Sequence, residues 1–201
     1  MQKPADTNFP IHDLIRDRWS SVSFSDRPVE TEKIGSLLEA ARWAPSSYNA
    51  QPWTFFVAAK SDPDEYERLL SCLLAGNQAW AKNAPLLMLA VAAMNFEGRQ
   101  KANPHAFHDV GMASENLTIQ ATALGLFVHQ MAGFDADQAR NVYAIPTTYD
   151  PVACLAIGYH APLTNLDASL QSRDNAARSR KPFEDFVFAG KWGQSYQIDD
   201  A

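Results

Sequence analysis

The sequence predicts a mixed α/β or α+β domain. Stretches with helical apolar spacing alternate with runs of β-rich residues, turn formers separate them, and no internal repeat or low-complexity tract breaks the alternation. With 201 residues the chain suffices for one substantial core and is short for two, so a single domain over 1–201 is expected.

The first clear helix carries Ile34, Leu37, Leu38 and Ala41 at i, i+3, i+4 and i+7, with Thr31 placed to cap it. Pro45 ends it, because the residue before a proline is pushed out of the helical region. After a polar loop from Ser46 to Pro52, Trp53 to Ala59 is a β-rich run suited to a buried strand. Asp62 can cap a second helix to Leu74, with Pro63 at its first position. Pro85 to Ala92 reads as a continuous apolar strand. His108 to Leu124 reads as a long helix, apolar on several faces and therefore central, with Gly125 placed to stop it. A short strand (Leu126 to Met131), a short helix (Asp135 to Tyr143) and a strong strand (Val152 to Tyr159) follow. From Ala161 onward the composition is polar, with too few apolar residues for a core of its own. This tail is expected to lie over something else, a partner subunit or a ligand edge.

Composition narrows the function classes. A net charge of −6 argues against a nucleic-acid binder. The longest apolar run, Ala84 to Met94, falls short of the roughly 20 residues that span a bilayer. Met1 to Pro10 lacks an apolar signal core, so no export signal is expected. Cys72 and Cys154 lie in apolar stretches and read as free buried thiols, as in a reducing cytoplasm. The spacing of His105, His108 and Asp109 mimics a metal site, but no Glu completes a zincin motif and no metal is expected.

Three segments are rich in groups that recognise an anion: Arg16 to Ser21, Pro45 to Trp53, and Arg178-Ser179-Arg180-Lys181. Arginine forks and hydroxyls suit a phosphate, at about 1.5–3 kcal/mol per charge-assisted bond. Each segment taken alone also reads as a solvated helix end, a polar turn or a surface run.

These segments carry a resemblance. Arg18-Trp19-Ser20 followed by Phe24-Ser25-Asp26-Arg27-Pro28-Val29, and above all Ala40-Ala41-Arg42-Trp43-Ala44-Pro45-Ser46-Ser47-Tyr48-Asn49-Ala50-Gln51-Pro52-Trp53, resemble landmarks of the FMN-dependent nitroreductase family. Asp109-Val110-Gly111, Asn116-Leu117, Ala123 to Leu126, Gly133-Phe134-Asp135, Pro151 to Tyr159 and Arg178 to Pro182 continue the likeness in order, from about residue 14 to 188.

The resemblance implies an α+β, nitroreductase-like fold: a central, mainly antiparallel sheet flanked by helices, with an extended C-terminal arm over about 161–201. It implies a homodimer with FMN at the subunit interface. Arg18, Trp19 and Ser20 would hold the phosphate and ribityl chain, and Arg178 and Arg180 would complete the phosphate clamp. Pro45, Ser46, Ser47 and Asn49 would reach the same FMN from the other subunit. Asn77 would face the pyrimidine edge. Gln130, Met131, Ala132 and Gly133 would line the other edge, with the N–H groups of Ala132 and Gly133 facing N5 and O4.

Tyr48 and Phe107 are candidates for lining the substrate cavity. His129 is a substrate contact or a satisfied strand residue, and Trp43 and Trp53 read as core. The activity implied is ping-pong transfer from NADH or NADPH to a small flat oxidant such as a nitroaromatic or quinone, with no protein nucleophile. A flavin-dependent dehydrogenase or reductive dehalogenase on the same scaffold, and a non-catalytic FMN-binding module, stay open. The chain departs from the family's pattern at Val22, where many members carry a lysine or arginine beside flavin N1 and O2; Trp80, followed by Lys82, occupies the next such position. The absent charge predicts a lower flavin potential.

Overall fold

The computed structural model describes residues 3–98 and 101–198; the end of the expected arm, 199–201, lies outside them. Among the described residues the order is α1 (Asp13–Asp17), α2 (Thr31–Arg42), β1 (Trp53–Ala59), α3 (Pro63–Ser71), α4 (Ala75–Ala81), β2 (Leu86–Ala93), α5 (Ala106–Ala123), β3 (Phe127–Met131), α6 (Ala136–Val142), β4 (Tyr149–Gly158) and α7 (Ala168–Asn175). The strands lie in the order β1-β2-β4-β3, antiparallel in every pairing. The α+β expectation holds, and the parallel α/β alternative does not.

β2 explains its own sequence. Leu87, Leu89 and Val91 face one cluster with Tyr66 and Leu69 of α3, Trp80 of α4 and Ala139 of α6. Leu86, Met88 and Ala90 face a second cluster with Leu37 and Ala41 of α2 and Val110, Ala113 and Leu117 of α5. A strand covered on both faces needs no polar alternation, so the run is apolar throughout. Truncating Leu89 to alanine in such a layer costs about 2–5 kcal/mol.

Helix ends follow local chemistry. Asp62 accepts from the Glu65 N–H, with Pro63 opening α3, and Asp135 does the same for Gln138 at the start of α6. Gly125 sits at φ +72° just past α5, where a side chain would be strained.

Several expectations are corrected. Thr31 is the first residue of α2, not its cap; Glu30 stands at the cap without a side-chain bond. β4 begins at Tyr149, before Pro151, because the register slips between Ala90 and Val91 and β3 ends opposite Cys154. A proline is tolerated beside such a bulge: Pro151 is in register with Val91 of β2, and β3 ends short of it on the other side. α5 buries one face only, and Phe107, Gly111 and Glu115 stay exposed. Trp43 is 77% exposed rather than core, its indole N–H donating to Glu39. α1, α4 and α7 are short helices whose apolar spacing is too sparse to announce them. The region beyond 160 divides: Leu166 and Asp174 are buried against the rest of the chain, while Phe186, Trp192 and Tyr196 lie exposed. Both cysteines are buried and free.

Candidate functional site

Segment 16–24 leaves α1 at Arg18, whose N–H still bonds the Leu14 carbonyl. Arg18 Nη1 reaches Ser20 Oγ at 3.4 Å, and Ser20 is exposed. Between them Trp19 is buried, edge-on to Phe127 at 5.7 Å with Lys3 Nζ 4.5 Å from its ring centroid. The Trp19 side chain is therefore an anchor, and only its main chain can serve a ligand.

The C-terminal arginines come to this segment. Arg178 Nη1 donates to the carbonyls of Arg16 and Lys3, each at 2.7 Å. Burial, then the charges of Arg18 and Arg180, push the Arg178 guanidinium below its ordinary pKa, with Asp17 opposing. Arg178 thus joins the segment that carries Arg18, with Arg180 two residues on, and an anion would relieve the charge these gather in an acidic protein. Partial burial raises the Glu115 pKa, and Arg18 opposes it, which sets α5 alongside this cluster.

The end of β3 supplies a different chemistry. Gln130 is exposed, its amide donating to Thr118 Oγ1 at 3.1 Å, and Met131 is turned into the core. Beyond the strand, the Gly133 carbonyl accepts from the Leu74 N–H and from Asn77 Nδ2, at 3.0 and 2.9 Å. A Cβ at 133 would stand 2.6 Å from Asn77 Nδ2, so any other residue would force the Asn77 side chain to shift. Asn77 thus holds the Ala132–Gly133 turn in place. Among the described residues neither the Ala132 nor the Gly133 N–H has an acceptor. Two adjacent free donors at a rim suit a ligand's acceptor edge.

Loop Ser46–Gln51 lies elsewhere. Tyr48, Asn49 and Gln51 take φ of 53°, 55° and 46°, a left-handed stretch that side chains disfavour. Asp109, buried in the first turn of α5, accepts from the Ser47 N–H at 3.0 Å, and Ser46 Oγ accepts from the Gln51 N–H. From Asp109 to Thr118 is about 14 Å along the helix. One chain therefore holds loop 46–51 at the start of α5, away from the Gln130 edge, while Arg18 acts on Glu115, about 9 Å along the helix from Asp109. Tyr48 is 88% exposed, edge-on to Phe96.

His129 Nδ1 lies 2.9 Å from the Ser21 carbonyl, so that nitrogen carries the proton; Nε2 then accepts from Arg173 Nη2 at 3.4 Å. Burial lowers its pKa, the Ser21 bond opposes this, and Arg173 adds to it. This is a satisfied strand residue. Val22 is buried, and Trp80 is buried and stacked on Phe24, so the two positions expected to be basic are filled by core. A lysine at 22 would bury its ammonium at a cost of several kcal/mol.

Sequence reasoning missed Asp109 as the support of the loop, and Lys3 and Asp174 as partners of the arginine segment. A carboxylate on the buried face of α5 was a signal for the first; nothing local marks the other two. Among the described residues no three His, Cys, Asp or Glu side chains group to hold a metal, and no helix is long and apolar enough to cross a membrane.

The family model described as nitroreductase matches residues 15–76 and 67–159. The chain belongs to the nitroreductase family. Among its family relatives, the major NAD(P)H-flavin oxidoreductase of Aliivibrio fischeri is 28% identical over 88% of this chain and 96% of its own length. An uncharacterized 15.4 kDa protein of Mycolicibacterium smegmatis is 34% identical over 65% of this chain and 86% of its own. A solved structure described as an oxidoreductase containing FMN superposes with a TM-score of 0.88 at 33% identity, over 94% of this chain and 96% of that one.

Proposed function

We propose that this nitroreductase-family chain works as a homodimer that binds FMN at the subunit interface and passes reducing equivalents from NADH or NADPH to a small flat oxidant, a nitroaromatic or quinone. Family membership makes it an FMN-dependent NAD(P)H oxidoreductase; the dimer, the donor, the oxidant and the residue roles are our reading. The observation that carries it is Arg178 bonded to the Arg16 carbonyl beside Arg18, with Arg180 two residues on, which would suit a phosphate in a protein of net charge −6.

The residues present fit the group. Arg18, Ser20, Arg178 and Arg180 would hold the phosphate and ribityl chain, with Trp19 contributing main chain alone. Gln130 and the free N–H groups of Ala132 and Gly133 would meet the polar edge of the ring, and Asn77 would act by fixing Gly133. Met131 would contribute main chain, its side chain being buried. Pro45, Ser46, Ser47 and Asn49 would come from the second copy. Bound FMN would supply the hydride chemistry, which is the cofactor's own. The chain's part is to bind, orient and donate hydrogen bonds, so it needs no nucleophile or general base.

Donor and oxidant would occupy one open face in turn, with Tyr48 and Phe107 beside it. The purified protein should be yellow, and anaerobic mixing with NADH or NADPH should bleach it, with colour returning on addition of a quinone. Colourless protein that gives no calorimetric heat with FMN would sink the reading. Colour without bleaching by either donor would remove the NAD(P)H reading and leave an FMN-binding module or a flavin enzyme reduced by another substrate.

A further inference from the structure

α7 is a weakly anchored helix. Its buried residue is the charged Asp174, 2% exposed, while its flanks are polar. A buried carboxylate is costly unless its lone pairs are met. Here the Val22 N–H donates to Asp174 Oδ1 at 2.8 Å, Ser21 Oγ lies 3.3 Å away, and His160 Nε2 stands 3.6 Å from Oδ2. The helix is therefore pinned to the segment that carries Arg18 and Ser20.

A second set of bonds closes the same junction from the N-terminal side. Lys3 Nζ donates to the carbonyls of Asp174 and Ala176, and the carbonyl of Lys3 accepts from Arg178 Nη1 at 2.7 Å. The side chain of Lys3 holds the main chain of the arm, and the main chain of Lys3 holds a side chain of the arm. The Ala5 N–H bonds the Arg16 carbonyl, which also accepts from Arg178. Three residues separate Asp174 from Arg178, so this lock sets where the arginine pair stands. Arg178 gives Nη1 to the lock, and among the described residues nothing takes its Nη2 or Nε.

We propose that Asp174 and Lys3 form a clasp that positions Arg178 and Arg180 against Arg18, and so confers selectivity for a phosphorylated flavin over an unphosphorylated one. Both are positioning residues. The inference rests on the FMN reading above and adds how the phosphate grip is held.

The test is titration of the full-length apo-protein with FMN and with riboflavin, which lacks the phosphate, for wild type, Asp174→Ala and Lys3→Ala. Wild type should prefer FMN. Asp174→Ala should weaken FMN binding about tenfold or more, the loss expected for a misplaced charge-assisted bond, and leave riboflavin within about twofold. Lys3→Ala should move the same way, and it carries the test if Asp174→Ala fails to fold. In the apo-protein both variants should be cut faster by trypsin after Arg178 and Arg180. Equal loss of FMN and riboflavin, or no change in either, would overturn the clasp while leaving the FMN reading standing. Wild type that binds neither flavin, or both equally, would overturn the phosphate reading and the clasp with it.

Discussion

Burial and the Arg173 guanidinium at Nε2 disfavour a second proton on His129, while the Ser21 carbonyl, accepting from Nδ1–H, opposes them. Burial is the largest cause of its lowered pKa, and His160 is lowered for the same first reason. For a base whose folded pKa is depressed, the unfolded chain binds more protons as pH falls through the unfolded value of 6.5. The contribution of both residues is thus complete well above that pH and is lost below it. Urea denaturation should show lower stability at pH 5.5 than at pH 7.5, and His129→Gln should flatten that difference. Glu30 does not confuse the window: its bonds to Tyr159, its own backbone and Arg27 hold it at about 2, so its loss comes in far stronger acid. An equally steep pH dependence in the variant would exclude His129 as a contributor.

At the scale of elements, the turn leaving β3 and the loop before β1 are both held by a side chain from another element. Gly133→Ala places a methyl where Asn77 Nδ2 now stands, so Asn77 must move and its bond to the Gly133 carbonyl lengthens. A loss of about 1–3 kcal/mol is expected, as for other forced insertions. The double variant with Asn77→Ala should recover part of it, which a thermodynamic cycle measures; additive losses would mean the clash is not the cause.

Asp109→Ala leaves the Ser47 N–H without its acceptor beside three left-handed residues. About 1–3 kcal/mol should be lost. Hydrogen exchange at 46–51 should quicken while β2 stays protected; unchanged exchange there would mean the loop holds itself.

The same two places show what sequence could and could not tell. β1 was legible because a β-rich run between a polar loop and a capped helix has one reading. α4 was not, because Gly76 and Asn77 weaken any helical signal and its packing rests on Trp80 and Ala81 at its end. Arg18 and Arg178 announced themselves by charge. That Asp174 and Lys3 support them depends on chain segments more than 150 residues apart meeting, which local pattern does not record. Trp43 was misread since an aromatic at the end of an amphipathic helix is ordinarily core.

For the whole molecule the open matter is how loop 46–51 and the arginine cluster could serve one ligand when α5 keeps them apart. A second copy, laid against the uncovered face of α5, would bring the loop of one chain to the arginines of the other. The exposed apolar side chains favour this: Phe107 is 48% exposed on that face, and Trp192 in the arm is 95% exposed. Light scattering should therefore give twice the chain mass, and Phe107→Asp should shift the protein toward monomer by placing a charge in the contact. Because the FMN contacts proposed for Pro45, Ser46, Ser47 and Asn49 would then be missing, the monomeric variant should bind FMN more weakly. A Phe107→Asp protein that stays dimeric would place the contact elsewhere, and a monomer that still holds FMN as tightly as wild type would show that the site is complete within one chain and that loop 46–51 has another use.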